Sequence, residues 1–356
     1  MSTRYLDKRN CQALLPPTEG LPVLERLEEC LKGLNEQPGP YQGLIDKLIK
    51  HNKKTAKLSY GSQRYLPAAI DIAQGLDFET RVVRTHAYQR PGNAPVRLHL
   101  IFENTPNIGW KIILPLQPLL KKWGDANEGH QGYVHTICHN SPRLDSMEKF
   151  LNRQSTDKDD YYYVGITGRN WLQRLSEHMR EVRNGGRRRF YRAWKASLGI
   201  EDVLIVSALM DINLSYNDAM NWEEVNVDRV AAGPNGLNMI SGGFKGQREL
   251  HKLGLISKKR VSLEERERAI DELVRQSPLK GVPNPFIAEC WKDPEHYGKV
   301  IGARDKSLSV EQVHRIRELK LEGWTVKDIV KEVGALNAPQ VYGVLRGDTY
   351  NKPPYT

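Results

Sequence analysis

Residues 160–180 read Asp160-Tyr-Tyr-Tyr-Val-Gly-Ile-Thr-Gly-Arg-Asn-Trp-Leu-Gln-Arg-Leu-Ser-Glu-His-Met-Arg180, and their hydrophobic period changes in mid-course. The first part, to Ile166, is aromatic and β-branched, the composition of a strand, and Thr167-Gly168 closes it with a turn. Asn170 then stands at a helix N-cap, with Gln173 at the capping-box position. Leu172, Leu175, Met179 and Val182 recur at helical spacing and predict the buried stripe. Arg174 and His178, four apart, share a face beside it. A tyrosine-bearing strand leading into a helix with a guanidinium and an imidazole suits phosphate chemistry. Arginine forks onto phosphate oxygens, while histidine or tyrosine handles protons. Taken alone, an arginine and a histidine at this spacing equally describe a solvated helix face.

The rest of the chain narrows that choice. Its 356 residues allow two or three domains, and 39% hydrophobic with 27% charged residues fits a soluble globular protein. Lysine and arginine number 53 against 43 acidic residues, a formal net charge of +10. Such an excess favours a polyanionic partner, because each cation that neutralises a phosphate releases a counterion. No apolar run approaches the roughly 18–20 residues that a bilayer requires, so no membrane partner is expected. The opening MSTRYLDKRNCQALL lacks a signal peptide's apolar stretch, which predicts a cytoplasmic protein. Cys11, Cys30, Cys138 and Cys290 lie far apart, which argues against a disulfide framework and a thiolate zinc site.

Tyr163-Val164-Gly165 followed by Arg174 and His178 resembles the second half of the GIY-YIG nuclease signature. The first signature strand then falls at Gly132-Tyr-Val-His-Thr-Ile137, with His135 in the tyrosine's place. Downstream, Glu223 in the expected helix Asn217–Val230 and Asn238 in Gly236-Leu-Asn are 15 residues apart, as in the phage homing members; Glu224 is the competing choice. The order strand, strand, helix, helix, strand, helix is also similar to that family's core. Two departures stand out: His135 for tyrosine, and the long insert Cys138–Asp160 between the signature strands.

The resemblance implies an α+β fold with a small antiparallel three-stranded sheet flanked by helices, and metal-dependent hydrolysis of a DNA phosphodiester. Glu223 would hold Mg²⁺ (or Mn²⁺), and Arg174 would stabilise charge on the phosphoryl oxygens. His135 or Tyr163 would orient or deprotonate the water, with His178 in support and Asn238 shaping the site. Histidine, with a pKa near ~6.5 against ~10 for tyrosine, is the better base at neutral pH.

Around this core, Arg180, Arg183, Arg187, Arg188, Arg189 and Arg192 read as a track for the DNA backbone. Phe190, Trp194 and Leu198 among them have the spacing of core residues. Helix 262–276 opens with Ser262 and Glu265 in a capping box, and a proline-rich connector follows it. From Ser309 on, three short helices with a Gly334 turn match a helix-turn-helix pattern, whose third helix would present Asn337, Gln340, Tyr342 and Arg346 to the major groove. Residues 1–125 carry short strands and no chemical motif; they hold DNA or simply pack. The expected organisation is therefore an α+β region to 125, a nuclease core over 126–245, a helical linker over 246–305 and an all-α DNA-binding domain over 306–356. The expected function is site-specific cleavage of double-stranded DNA, of homing or restriction type. The alternative is a sequence-specific DNA-binding regulator whose nuclease core is inactive.

Overall fold

The β-branched runs pair into one seven-stranded mixed sheet in the computed structural model, which describes residues 3–15, 23–58, 64–66, 70–74, 80–84, 95–105, 108–139, 160–198, 203–231, 235–257, 261–277, 294–302, 306–351 and 354–355. The strands are β1 (Ile70–Gln74), β2 (Thr80–Arg84), β3 (Arg97–Thr105), β4 (Ile108–Pro115), β5 (His130–Cys138), β6 (Tyr161–Thr167) and β7 (Val203–Leu214). Their order in space is β2-β1-β3-β4-β7-β5-β6. Most of the 138–160 insert, the proline-rich connector and Cys290 lie outside the described residues.

The three strands expected of the small antiparallel sheet are present, with β5 antiparallel to both β6 and β7. The sheet does not end there, which corrects the three-stranded expectation. β7 is 12 residues long, and Val203–Ala208 also pairs in parallel with Ile108–Ile113 of β4. The cause lies in β7 itself. Val203-Leu-Ile-Val-Ser-Ala-Leu is a nearly continuous apolar run, the signature of a strand covered on both faces and bonded on both edges. β1, which the sequence reading does not anticipate, joins the far side by pairing with β2 and β3.

Helices α1 (Lys8–Leu14), α2 (Val23–Glu36) and α3 (Leu44–Thr55) precede the sheet, and Leu27, Leu31, Ile45 and Leu48 are fully buried. α1 is tied to the middle of the chain. The Trp171 indole donates to the Leu14 carbonyl at 3.1 Å, and the Asn170 amide donates to that of Ala13. α4 (Trp171–Arg183) starts where the cap predicts, the Asn170 side chain accepting from Leu172 N and Gln173 N. α5 (Arg189–Ser197) buries Phe190 and Trp194, but Leu198 is 43% exposed. The expected core role for Leu198 therefore fails; it stands at the C-cap of the helix. α6 (Tyr216–Asn226) runs into a π-helical turn, Val227–Ala231. α7 (Gly243–Lys252) and α8 (Leu263–Gln276) follow, and α8 carries the anticipated Ser262–Glu265 capping box.

The chain divides into two compact units, Met1–Val282 and Pro283–Thr356. The second contains α9 (Pro294–Gly302), α10 (Val310–Leu321), α11 (Val326–Val333) and α12 (Ala338–Arg346). Val313, Ile316, Leu319, Ile329, Val341 and Val344 form its core, the stripes that helical periodicity predicts. Ser309, Thr325 and Asn337 cap the last three helices with their side chains.

Candidate active site

Strand register decides which side chains meet. His135 is opposite Tyr163 and Tyr133 is opposite Gly165, so Tyr133, His135 and Tyr163 share one face of β5 and β6. α4 and α5 cover that face. The Tyr163 and Phe190 rings stack with centroids 4.4 Å apart, and His135 lies between Tyr133 at 4.7 Å and Phe190 at 5.6 Å. Gly165 has a steric purpose here. A Cβ added to it would stand 2.5 Å from the Tyr133 hydroxyl, so only glycine lets that ring lie across β6.

His178 joins two phenols: Nε2 is 3.3 Å from Tyr133 Oη, and Nδ1 is 3.2 Å from Tyr191 Oη. Neutral imidazole has one N–H and one lone pair, so one tyrosine donates to it and the other accepts from it. Burial, followed by the Arg174 charge, keeps the His178 pKa well below its ordinary value. The Tyr133 hydroxyl is pushed up by burial, with Arg174 acting to lower it. Tyr163 is likewise raised by burial. Hence the tyrosines are phenols and the histidines neutral at physiological pH.

His135 sits at the floor of this cluster with no exposed surface. Its Nδ1 is 2.9 Å from the Ser207 hydroxyl, and its Nε2 is buried without a hydrogen-bond partner among the described residues. Burial first, and then Arg174, lower its pKa to about 3. That is far from the value near 6.5 that made it an attractive base in the sequence. Tyr133, two residues earlier on the same strand face, is the group that reaches His178.

Arg174 is 14% exposed and makes two ion pairs, Nη1 to Glu177 Oε2 at 2.8 Å and Nη2 to Glu267 Oε2 at 2.7 Å. Burial opposes its charge, but the Glu267 and Glu177 carboxylates favour the charged form and its pKa is raised. Arg188 does not lie on an exposed track. Its side chain is 7% exposed, with Nη1 2.6 Å from Glu267 Oε2 and Nε 2.7 Å from Asp271 Oδ1. Arg180, Arg183 and Arg187 are exposed, while Arg189 and Arg192 are half-buried.

Glu223 comes from α6, and its Oε2 accepts from the Gly243 backbone N–H at 2.7 Å and from Arg266 Nη1 at 2.5 Å. The glycine matters again, since Gly243 has φ +52° and its position of a Cβ would overlap the Met220 carbonyl. Glu224, the competing choice, faces α7, where Lys245 N–H donates to it at 2.8 Å. Glu223 thus already faces a cation, the Arg266 guanidinium. Mg²⁺ is commonly held by one or two carboxylates together with phosphate and water, and Glu223 supplies one such carboxylate. Among the described residues no three histidine, cysteine or acidic side chains are grouped so as to hold an ion by themselves.

Asn238 is a positioning residue. Its Oδ1 accepts from Val164 N at 3.0 Å and its Nδ2 donates to Val164 O at 2.8 Å, so the side chain pairs with β6 like one more strand residue. In the second unit Asn337 caps α12, and Gln340 donates to Lys306 O and accepts from Leu336 N. Tyr342 is 48% exposed, and Arg346 is paired with Asp348 at 2.8 Å on an exposed surface.

Searches against protein families, curated proteins and solved structures return no match to this chain. The site therefore rests on its own geometry. The sequence reading did not single out Tyr133, Tyr191, Arg266 or Glu267. Tyr133 had a visible signal, its i,i+2 relation to His135 on the signature strand. Arg266 and Glu267 had none, because charged residues on a capped helix are ordinary surface pattern.

Proposed function

We propose that the chain is a divalent-metal-dependent endonuclease of the GIY-YIG type that hydrolyses phosphodiesters of double-stranded DNA. The observation that carries the reading is the Tyr133–His178 contact on the helix that also holds Arg174. A phenol, an imidazole and a buried guanidinium are thereby gathered around one face of the signature strands.

In this reading Arg174 binds a non-bridging phosphoryl oxygen and offsets the charge that develops there. The Tyr133 hydroxyl orients the attacking water, and His178 Nε2, 3.3 Å away, fixes the direction of that hydroxyl. Tyr163 walls the site and presents its hydroxyl on the same face. Tyr191, on the other nitrogen of His178, fixes the ring's orientation and tautomer. A divalent cation on Glu223 would polarise the phosphate and stabilise the leaving 3′ oxygen. Asn238 holds β6, and so Tyr163, in register. His135 supports the floor.

Exposed Arg180, Arg183 and Arg187 lie on and just after α4 and suit contacts to the duplex backbone. The second unit, with its capped short helices, suits a helix-turn-helix role in selecting a site, through Tyr342 and Arg346. No helix among the described residues is long and apolar enough to cross a membrane. Homing and restriction roles are both compatible with a nuclease core followed by such a module.

The second reading, a DNA-binding regulator with an inactive core, is favoured by one fact: Arg266 and Glu267 occupy Glu223 and Arg174. Incubation of supercoiled plasmid with Mg²⁺ separates the two. The nuclease reading expects nicked or linear product from the wild type and none from Glu223→Ala. Tight DNA binding with no product under any condition supports the regulator instead.

A further inference from the structure

One oxygen of Glu267 bridges two guanidinium groups, at 2.7 Å from Arg174 Nη2 and 2.6 Å from Arg188 Nη1. A third bond, Arg188 Nη2 to the Glu267 carbonyl at 3.2 Å, draws the same backbone into the cluster. Two forked cations converging on one anionic oxygen form the geometry that proteins use for a phosphate. The neighbouring residue of the same helix, Arg266, lays its guanidinium on Glu223 at 2.5 Å. α8 therefore supplies an anion where the reading above needs a phosphate and a cation where it needs a metal ion.

We propose that Arg174 and Arg188 together form a phosphate-binding subsite, that Glu267 is its resident anion, and that a DNA phosphodiester must displace Glu267 to enter. The inference rests on the nuclease reading for the identity of the anion, but the competition itself requires no cutting. Arg188 becomes a substrate-binding residue, distinct from the exposed arginines. Its burial supports this, because Arg188 stays charged against desolvation chiefly through Glu267. Such a buried cation, once deprived of one anion, strongly favours another. The Glu267 carboxyl is pushed up by burial but held below its ordinary range by Arg188 and Arg174, so it competes as a carboxylate.

The test is equilibrium binding of a labelled DNA duplex by the full chain in EDTA, where no cleavage occurs, with inorganic phosphate as a competing probe. Glu267→Gln keeps the shape and removes the charge, while Asp271 and Glu177 still pair Arg188 and Arg174. The expected result is duplex affinity raised roughly tenfold over wild type. Competition by phosphate should strengthen in parallel, and both gains should vanish in Arg188→Gln/Glu267→Gln. Circular dichroism of each variant verifies the fold. A folded Glu267→Gln that binds duplex and phosphate no more tightly than wild type overturns the proposal, as does a gain that persists without Arg188. A gain in binding with no cutting by any variant in Mg²⁺ leaves the subsite standing and removes the nuclease reading instead.

Discussion

Tyr133 packs against Gly165, its hydroxyl 2.5 Å from where any other residue's Cβ would stand. The two residues face each other across β5 and β6. The glycine of the Tyr163-Val-Gly motif therefore serves the opposite strand, clearing the path by which the phenol reaches His178. Gly165→Ala should move Tyr133 off His178 and lower cleavage at least about tenfold, with a fall in stability of the order of 1–3 kcal/mol from overpacking. Plasmid cleavage and a thermal melt measure the two effects separately.

The two β5 residues of the candidate site, Tyr133 and His135, should behave differently. Tyr133→Phe removes the hydroxyl that touches His178 and should reduce cleavage by about 100-fold or more at unchanged duplex binding. His135→Phe replaces a buried neutral ring that stacks on Phe190 and should keep most of the activity. Loss of cutting in His135→Phe with full cutting in Tyr133→Phe would return the base role to the histidine.

How far the site could be read beforehand follows from this contrast. The tyrosine strand, the Asn170 cap and the Arg174/His178 helix depend on neighbours in sequence, so period and capping chemistry reveal them. Glu223 and Asn238 enter the proposed site only through their spacing and the resemblance. The choice between Tyr133 and His135 was not, because both point to the same face and only the packing of α4 decides which meets His178. The pairing of β4 with β7 was hidden for a related reason. A parallel pair joined by a crossover of some ninety residues leaves no local turn signal. Arg188 shows the same limit in electrostatics: its place among surface arginines is sequential, while its burial comes from acidic residues of α8 more than seventy positions away.

Asn238→Ala should destabilise the protein without entering the chemistry. It leaves the N–H and C=O of Val164 without their partner, at a cost of about 1–3 kcal/mol. Chemical denaturation should report the loss. Cleavage at a temperature where the variant remains folded should fall much less than in Tyr133→Phe.

Asp211 gives a pH dependence of known sign. Burial raises its pKa from 3.8 to about 6, partly offset by the Ile212 N–H, while Asp218 adds to the rise. The folded state thus holds the proton more tightly than the unfolded one. The resulting stabilisation is complete below about pH 3.8 and is lost as pH rises through 6. Asp211→Asn should therefore raise the stability at pH 7.5 by about 2–3 kcal/mol relative to wild type and change little at pH 4. Equal shifts at both pH values would show that the side chain acts by packing alone.

The most direct measurement of the central claim is the Mg²⁺-dependent cleavage rate of duplex DNA by the wild type, Arg174→Ala and Glu267→Gln, prepared and assayed together. The account predicts metal-dependent products from the wild type, faster cleavage by Glu267→Gln, and a loss of about 100-fold or more in Arg174→Ala. Products that form equally fast without Arg174, or no products from either the wild type or Glu267→Gln, would contradict it.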